Sequence, residues 1–94
     1  MRTVVATMPR YFFNTQDGQS VVDAEGVELP NASAAQINAV TLLGELLREH
    51  ADHFWISPTF AVTVTDDQGR TVITVVTTGL RAPTRGHVAE QLGD

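Results

Sequence analysis

Met8-Pro9-Arg10-Tyr11-Phe12-Phe13 decides the fold. Three of the chain's six aromatic residues stand here in a row, straight after a proline and well before any helical pattern. Aromatic rings favour strands because a pleated surface gives them neighbours to pack on. Alternation along a strand puts Tyr11 and Phe13 on one face and Phe12 on the other. A strand apolar on both faces is expected to be central, or covered on both sides.

Working outward, strand one is expected over residues 10–15, followed by a turn at Asn14-Thr15-Gln16-Asp17-Gly18-Gln19. Asp-Gly supplies residue types that tolerate positive φ. Ser20-Val21-Val22-Asp23 reads as a short return strand. Ala24-Glu25-Gly26 is a second turn, and Val27-Glu28-Leu29-Pro30 leads into a helix. Upstream, residues 1–7 form an N-terminal extension, and Met8 is an alternative start.

Asn31 or Ser33 can cap the helix, and Ser33-Ala34-Ala35-Gln36 has capping-box spacing. Ile37, Val40, Leu43, Gly44 and Leu47 recur at helical spacing, widened by Ala39 and Leu46. This stripe is the expected core face, with Gly44 marking a close approach to the sheet. Glycine there costs up to about 1 kcal/mol against alanine. The pattern fades at His50.

Phe60-Ala61-Val62-Thr63-Val64-Thr65 alternates cleanly, and Arg70-Thr71-Val72-Ile73-Thr74-Val75-Val76 returns after Asp66-Asp67-Gln68-Gly69. Pairing Thr65 with Arg70 sets Val62 opposite Ile73 and Phe60 opposite Val75. The other face then carries Ala61, Thr63, Val72, Thr74 and Val76, a mixed set. The expected architecture is α+β: a ββαββ domain over residues 8–80, four antiparallel strands in the order 2-1-3-4. One helix covers one face, leaving the other for a second copy. Residues 81–94 read as a flexible polar tail.

The run from Met8 to Phe13, then Asp17-Gly18, then Asp23-Ala24-Glu25-Gly26-Val27-Glu28-Leu29-Pro30, resembles a family of small uncharacterised bacterial domains. Members open with a Pro-Arg-Tyr-Phe-Phe strand and an Asp-x-Glu-Gly-x-Glu-Leu-Pro turn. They end on a Val-Thr-Asp-x-x-Gly-Arg hairpin, which Val64-Thr65-Asp66-Asp67-Gln68-Gly69-Arg70 matches. The resemblance covers roughly residues 8–77 and implies a domain of unknown function, with a fold but no activity. Asn31-Ala32-Ser33 departs from the acidic residues more usual at the helix start, and the tail is longer.

Composition narrows the function classes. Ninety-four residues fit one domain with a modest core. No apolar run approaches the ~20 residues a membrane helix needs, and no signal peptide stands out, so a cytoplasmic address is expected. The absence of cysteine removes disulfides, thiolate metal sites and cysteine nucleophiles. A net charge of −5 with six scattered arginines makes nucleic acid an unlikely partner.

Several side chains are candidates for chemistry. His50 and His53, beside Glu49 and Asp52, share a face if the helix continues, but a metal site needs more ligands than these, and His87 lies in the tail. Asp17, Asp23, Glu25 and Glu28 cluster at turns, where carboxylates ordinarily stabilise loops. No nucleophile–base–orienter set accompanies them, so no enzyme, cofactor or metal is expected. Asp23 and Glu28 are potential partners of Arg10 or Arg70. Tyr11, Phe12, Trp55 and Phe60 are the candidate interface or ligand contacts. Trp55 suits either an interface anchor or packing under the helix end.

Three functions follow from these readings. The first is a non-catalytic interaction module that self-associates, as a dimer, through its sheet. The alternative is a small-ligand or regulatory domain with a pocket between helix and sheet lined by Trp55, Phe60 and Tyr11. The third, an antitoxin-like nucleic-acid-associated domain, rests on layout alone.

Overall fold

A computed structural model describes residues 8–83. The extension at 1–7 and, beyond Pro83, the tail with His87 lie outside the described residues. Within them the order is β1 (Arg10–Gln16), β2 (Ser20–Val21), β3 (Val27–Glu28), α1 (Ala32–Glu49), a 3-10 turn (Phe54–Ile56), β4 (Thr59–Thr65) and β5 (Thr71–Thr78). All pairings are antiparallel, in the order β2-β1-β4-β5, with β3 also pairing to β1. The aromatic strand β1 is central, and the α+β class with one helix on one face is as expected. The four-strand expectation lacked β3, because Val27-Glu28 reads as a connector. Its pairing is supplied by Arg10 opposite Glu28 and Tyr11 opposite Val27, then by Leu29 N–H donating to Pro9 O at 3.0 Å.

Alternation places the core. Tyr11 from β1 and Phe60, Val62 and Val64 from β4 are buried, with Phe13, Val72, Ile73 and Val75 packed against them. The helix closes this layer through Ala35, Ala39 and Leu43, flanked by Leu42, Leu46 and Leu47. Phe54 stands edge-on to Phe60 with ring centroids 4.9 Å apart. Edge-to-face rings put a positive rim against a negative face.

The helix phase corrects the expected core stripe. Ile37 is 67% exposed and Val40 59%, while Ala35 and Ala39 are fully buried. Two alanines, rather than Gly44, let the helix approach the sheet. A Cβ built on Gly44 meets nothing within 4 Å. Asn31 is the N-cap, its Oδ1 accepting from Ala34 N–H at 3.0 Å. Removing such a cap costs about 0.5–2 kcal/mol.

The register of the last hairpin also differs from the expected one. Thr65 pairs with Thr71, Val64 with Ile73, Val62 with Val75 and Phe60 with Thr77, with an irregularity between Val64 and Thr65. The cause lies in the turn. Asp66 Oδ1 accepts from Gln68 and Arg70 N–H at 2.9 Å, and Asp66 N–H donates to Arg70 O. Arg70 therefore closes the loop opposite Asp66, and Val72 is the extra residue, packed toward the core rather than on the open face. A two-residue slip keeps the other β5 side chains on their own face.

Candidate functional site

The acidic cluster at the first hairpin is built to hold backbone. Between its pairings with β3 and β2, the edge of β1 has no ladder partner at Phe13 and Asn14. Asp23 and Asn14 fill that gap. Asp23 Oδ2 accepts from Phe13 N–H at 3.1 Å, and Oδ1 accepts from Glu25 and Gly26 N–H at 3.0 Å. Asp23 N–H in turn donates to Asn14 Oδ1 at 2.9 Å. Partial burial pushes the Asp23 carboxyl up, but the N–H groups of Gly26, Phe13 and Glu25, with Arg10 nearby, hold it below the usual aspartate range. A carboxylate accepting three N–H bonds is a structural anion, with little basicity left for proton transfer.

Arg10 and Gly26 complete this clamp on the face away from the helix. Arg10 Nη1 donates to Glu25 O at 2.7 Å and Nη2 lies 3.2 Å from Glu28 Oε2. That ion pair is exposed, worth about 0–1 kcal/mol. Gly26 has φ +72°, and a Cβ there would lie 2.8 Å from the Phe12 ring and 2.9 Å from Arg10 Cγ. The second turn thus covers the outer side of Phe12, which is half-buried. Gly26→Ala is expected to lower stability by about 1–3 kcal/mol, from φ strain plus the displaced ring. A urea midpoint within error of wild type would contradict this contact.

The other candidate residues separate. Tyr11 and Phe60 are 6% and 1% exposed, so both belong to the core. Trp55 is 42% exposed at the opposite end of the molecule from the clamp, edge-on to Phe54. Arg81 lies over its ring at 5.1 Å and donates to its carbonyl at 3.1 Å. Cation–π placement of this kind holds the chain after β5 against the 3-10 turn.

His50 and His53 come together, with ring centroids 4.9 Å apart. The helix has already ended at Glu49, so a shared helical face is not what joins them. Each ring meets its own carboxylate: His50 Nε2 is 3.7 Å from Asp17 Oδ2, and His53 Nδ1 is 3.1 Å from Asp52 Oδ1. Among the described residues no group of three or more His, Asp or Glu is arranged to hold a metal. None of their helices is long and apolar enough to cross a membrane.

A cleft of about 420 Å³ opens between the helix and β1, lined by Phe13, Asp23, Val27, Asn38, Thr41, Leu42 and Glu45. It lies between helix and sheet on the β1 flank, and Trp55, Phe60 and Tyr11 are not among its lining residues. Its apolar floor carries a polar rim of Asp23, Asn38, Thr41 and Glu45, in which Asp23 already accepts backbone N–H groups and the Thr41 hydroxyl donates to Ile37 O at 3.0 Å.

The remaining surface of note is β5. Its eight residues, Thr-Val-Ile-Thr-Val-Val-Thr-Thr, are all β-branched, without charge, proline or glycine. It pairs with β4 on one side, and no described strand pairs with the other. The open face beside it is polar, carrying Asn14, Thr63, Thr65, Thr74 and Thr78. Hydroxyls of Thr59 and Thr78 lie 3.3 Å apart, and Asn14 Nδ2 donates to Thr63 O at 3.4 Å. Only Phe12, Ala61 and Val76 interrupt it with apolar surface. Sequence reasoning looked to the sheet's face; the signal for its edge is the unbroken run of β-branched residues.

Residues 10–78 match the model of a family described as "Domain of unknown function (DUF6894)". The match spans well over half of the chain, and the chain belongs to that family. None of the curated proteins and none of the solved structures is significantly similar to it.

Proposed function

We propose that this DUF6894 domain is a non-catalytic interaction module that self-associates through its sheet. The observation that carries the reading is the outer edge of β5, which no described strand pairs. Monomeric proteins blunt such edges with lysine, proline, bulges or brevity, because an open row of N–H and C=O groups templates another strand. Here eight uncharged β-branched residues run along the edge, and the one irregularity sits at its first turn. The non-catalytic part of the reading is supported by Asp23, whose acceptor capacity is spent on backbone, and by the separate pairing of the two histidines.

Sedimentation equilibrium tests it. The wild-type chain is expected to have twice the monomer mass at high micromolar concentration. Thr74→Lys, in the middle of the exposed side of β5, should return it to monomer without loss of helical signal. A wild-type chain that remains strictly monomeric would sink the reading.

The cleft favours a second reading, a small-ligand domain whose ligand has an apolar body and polar groups to hydrogen-bond the Asn38 and Glu45 side chains at the rim. A ligand binding only the folded state would raise the melting temperature with the logarithm of its concentration.

A further inference from the structure

Self-association along β5, the reading on which this inference rests, leaves open which way the second copy faces. A two-fold axis allows two arrangements. An axis normal to the sheet pairs the β5 strands antiparallel with both helices on the same face; an axis within the sheet plane, along the seam, pairs them parallel with the helices on opposite faces. The two exposed flanks of α1 distinguish these arrangements.

At 100° per residue, Asn38, Thr41, Leu42 and Glu45 share one flank of the helix. That flank is turned toward β1 and β3, since Phe13 and Val27 form the opposing wall of the cleft. Val40 lies about 140–160° and Gly44 about 100–120° away from Asn38 and Glu45, on the other flank, with Ile37 above them. The sheet order sets β5 on the far side of β4 from β1, and the helix packs on β4 and β5. The flank bearing Val40 and Gly44 therefore overhangs the free edge.

We infer that a second copy of this chain pairs along β5 about a two-fold axis normal to the sheet, bringing the Ile37, Val40 and Gly44 flanks of the two helices together over the seam. The distances fit. Strands spaced about 4.8 Å place β4 about 7 Å from the seam, so helices lying between β4 and β5 come within roughly 10 Å of each other. Packed helices approach to about 8–10 Å. Gly44, which faces open space in one copy, then becomes the point at which the partner's Val40 or Ile37 can enter.

Charge supports the same occupant. The chain carries −5 overall, so two copies repel unless the contact avoids carboxylates. None stands on β5 or among Ile37, Val40 and Gly44, whereas the cleft flank carries Asp23 and Glu45. The exposed apolar side chains Ile37 and Val40, at 67% and 59%, would be covered by their own symmetry mates.

The chain contains no cysteine, which makes a single-cysteine test clean. Val40→Cys should be joined into a covalent dimer by a short bis-maleimide, and Asn38→Cys, on the opposite flank, should not. Adding Thr74→Lys to Val40→Cys should abolish the cross-link. If wild type sediments as a dimer that Thr74→Lys disperses, yet Val40→Cys does not cross-link, the edge pairs with the helices apart and this inference alone falls. Cross-linking of Asn38→Cys in place of Val40→Cys also overturns it. A monomeric wild type overturns this inference together with the reading beneath it.

Discussion

Phe60→Ala is expected to lower the unfolding free energy by about 3–5 kcal/mol, the range for deleting a fully buried aromatic ring. Phe60 is 1% exposed and stands where three elements meet: β4 carries it, Phe54 of the 3-10 turn packs edge-on to it, and the His50 ring lies 6.2 Å away at the helix end. Removing the ring leaves a void between helix and sheet that Ala35 and Ala39, already at closest approach, are too small to fill. A domain of this size has roughly 5–10 kcal/mol in total. The variant should therefore unfold at a much lower urea midpoint, or fail to fold at body temperature. A change below about 1 kcal/mol would show that the site can collapse, and that Phe60 lines an open pocket instead.

The elements themselves are legible because their patterns are local. Alternation in Phe60–Thr65, the cap at Asn31 and the aromatic run at Tyr11–Phe13 each specify a strand or helix without help from the rest of the fold. The helix phase is not local. Apolar periodicity weights Ile37 and Val40 above Ala35 and Ala39, yet the short distance between helix and sheet at this point admits only the alanines. The two large residues are then turned out, and Gly44 with them. The hairpin register fails for a similar reason: the Asp66 side chain, rather than the count of turn residues, decides where Arg70 stands. β3 is invisible because two residues make no period. The candidate contacts follow the same logic. Aromatic character alone does not separate Phe60 and Tyr11, inside the core, from Trp55 at its margin. The β5 edge is readable only once the strand order leaves it without a neighbour.

The segment Asp23-Ala24-Glu25-Gly26-Val27-Glu28-Leu29-Pro30 lends itself to a second strong test because it reads equally well as chemistry or as scaffold. On the scaffold reading, Asp23→Ala strands the half-buried N–H groups of Phe13 and Gly26 and the exposed one of Glu25. Hydrogen bonds to a charged acceptor contribute about 1.5–3 kcal/mol each when buried, and water replaces part of that here. The expected loss is about 2–4 kcal/mol, with the Phe12 cover and β3 loosening together. Asp23→Asn keeps one acceptor oxygen and should lose less.

The pH dependence separates this role from a catalytic one. The folded carboxyl lies below its ordinary value of 3.8, so on acidification the unfolded chain takes up its proton first. Stability from Asp23 is therefore complete above the unfolded value and is lost as pH falls through the lower folded one. Asp66 shifts in the same direction: Arg70 N–H lowers it most, desolvation opposes, and Gln68 N–H and the Arg70 side chain lower it further. Urea midpoints of wild type and Asp23→Asn should differ most at neutral pH and converge below the aspartate range, where the wild-type carboxyl is itself neutral. A gap that persists unchanged into acid would mean that the geometry of the side chain, rather than its charge, holds the turn.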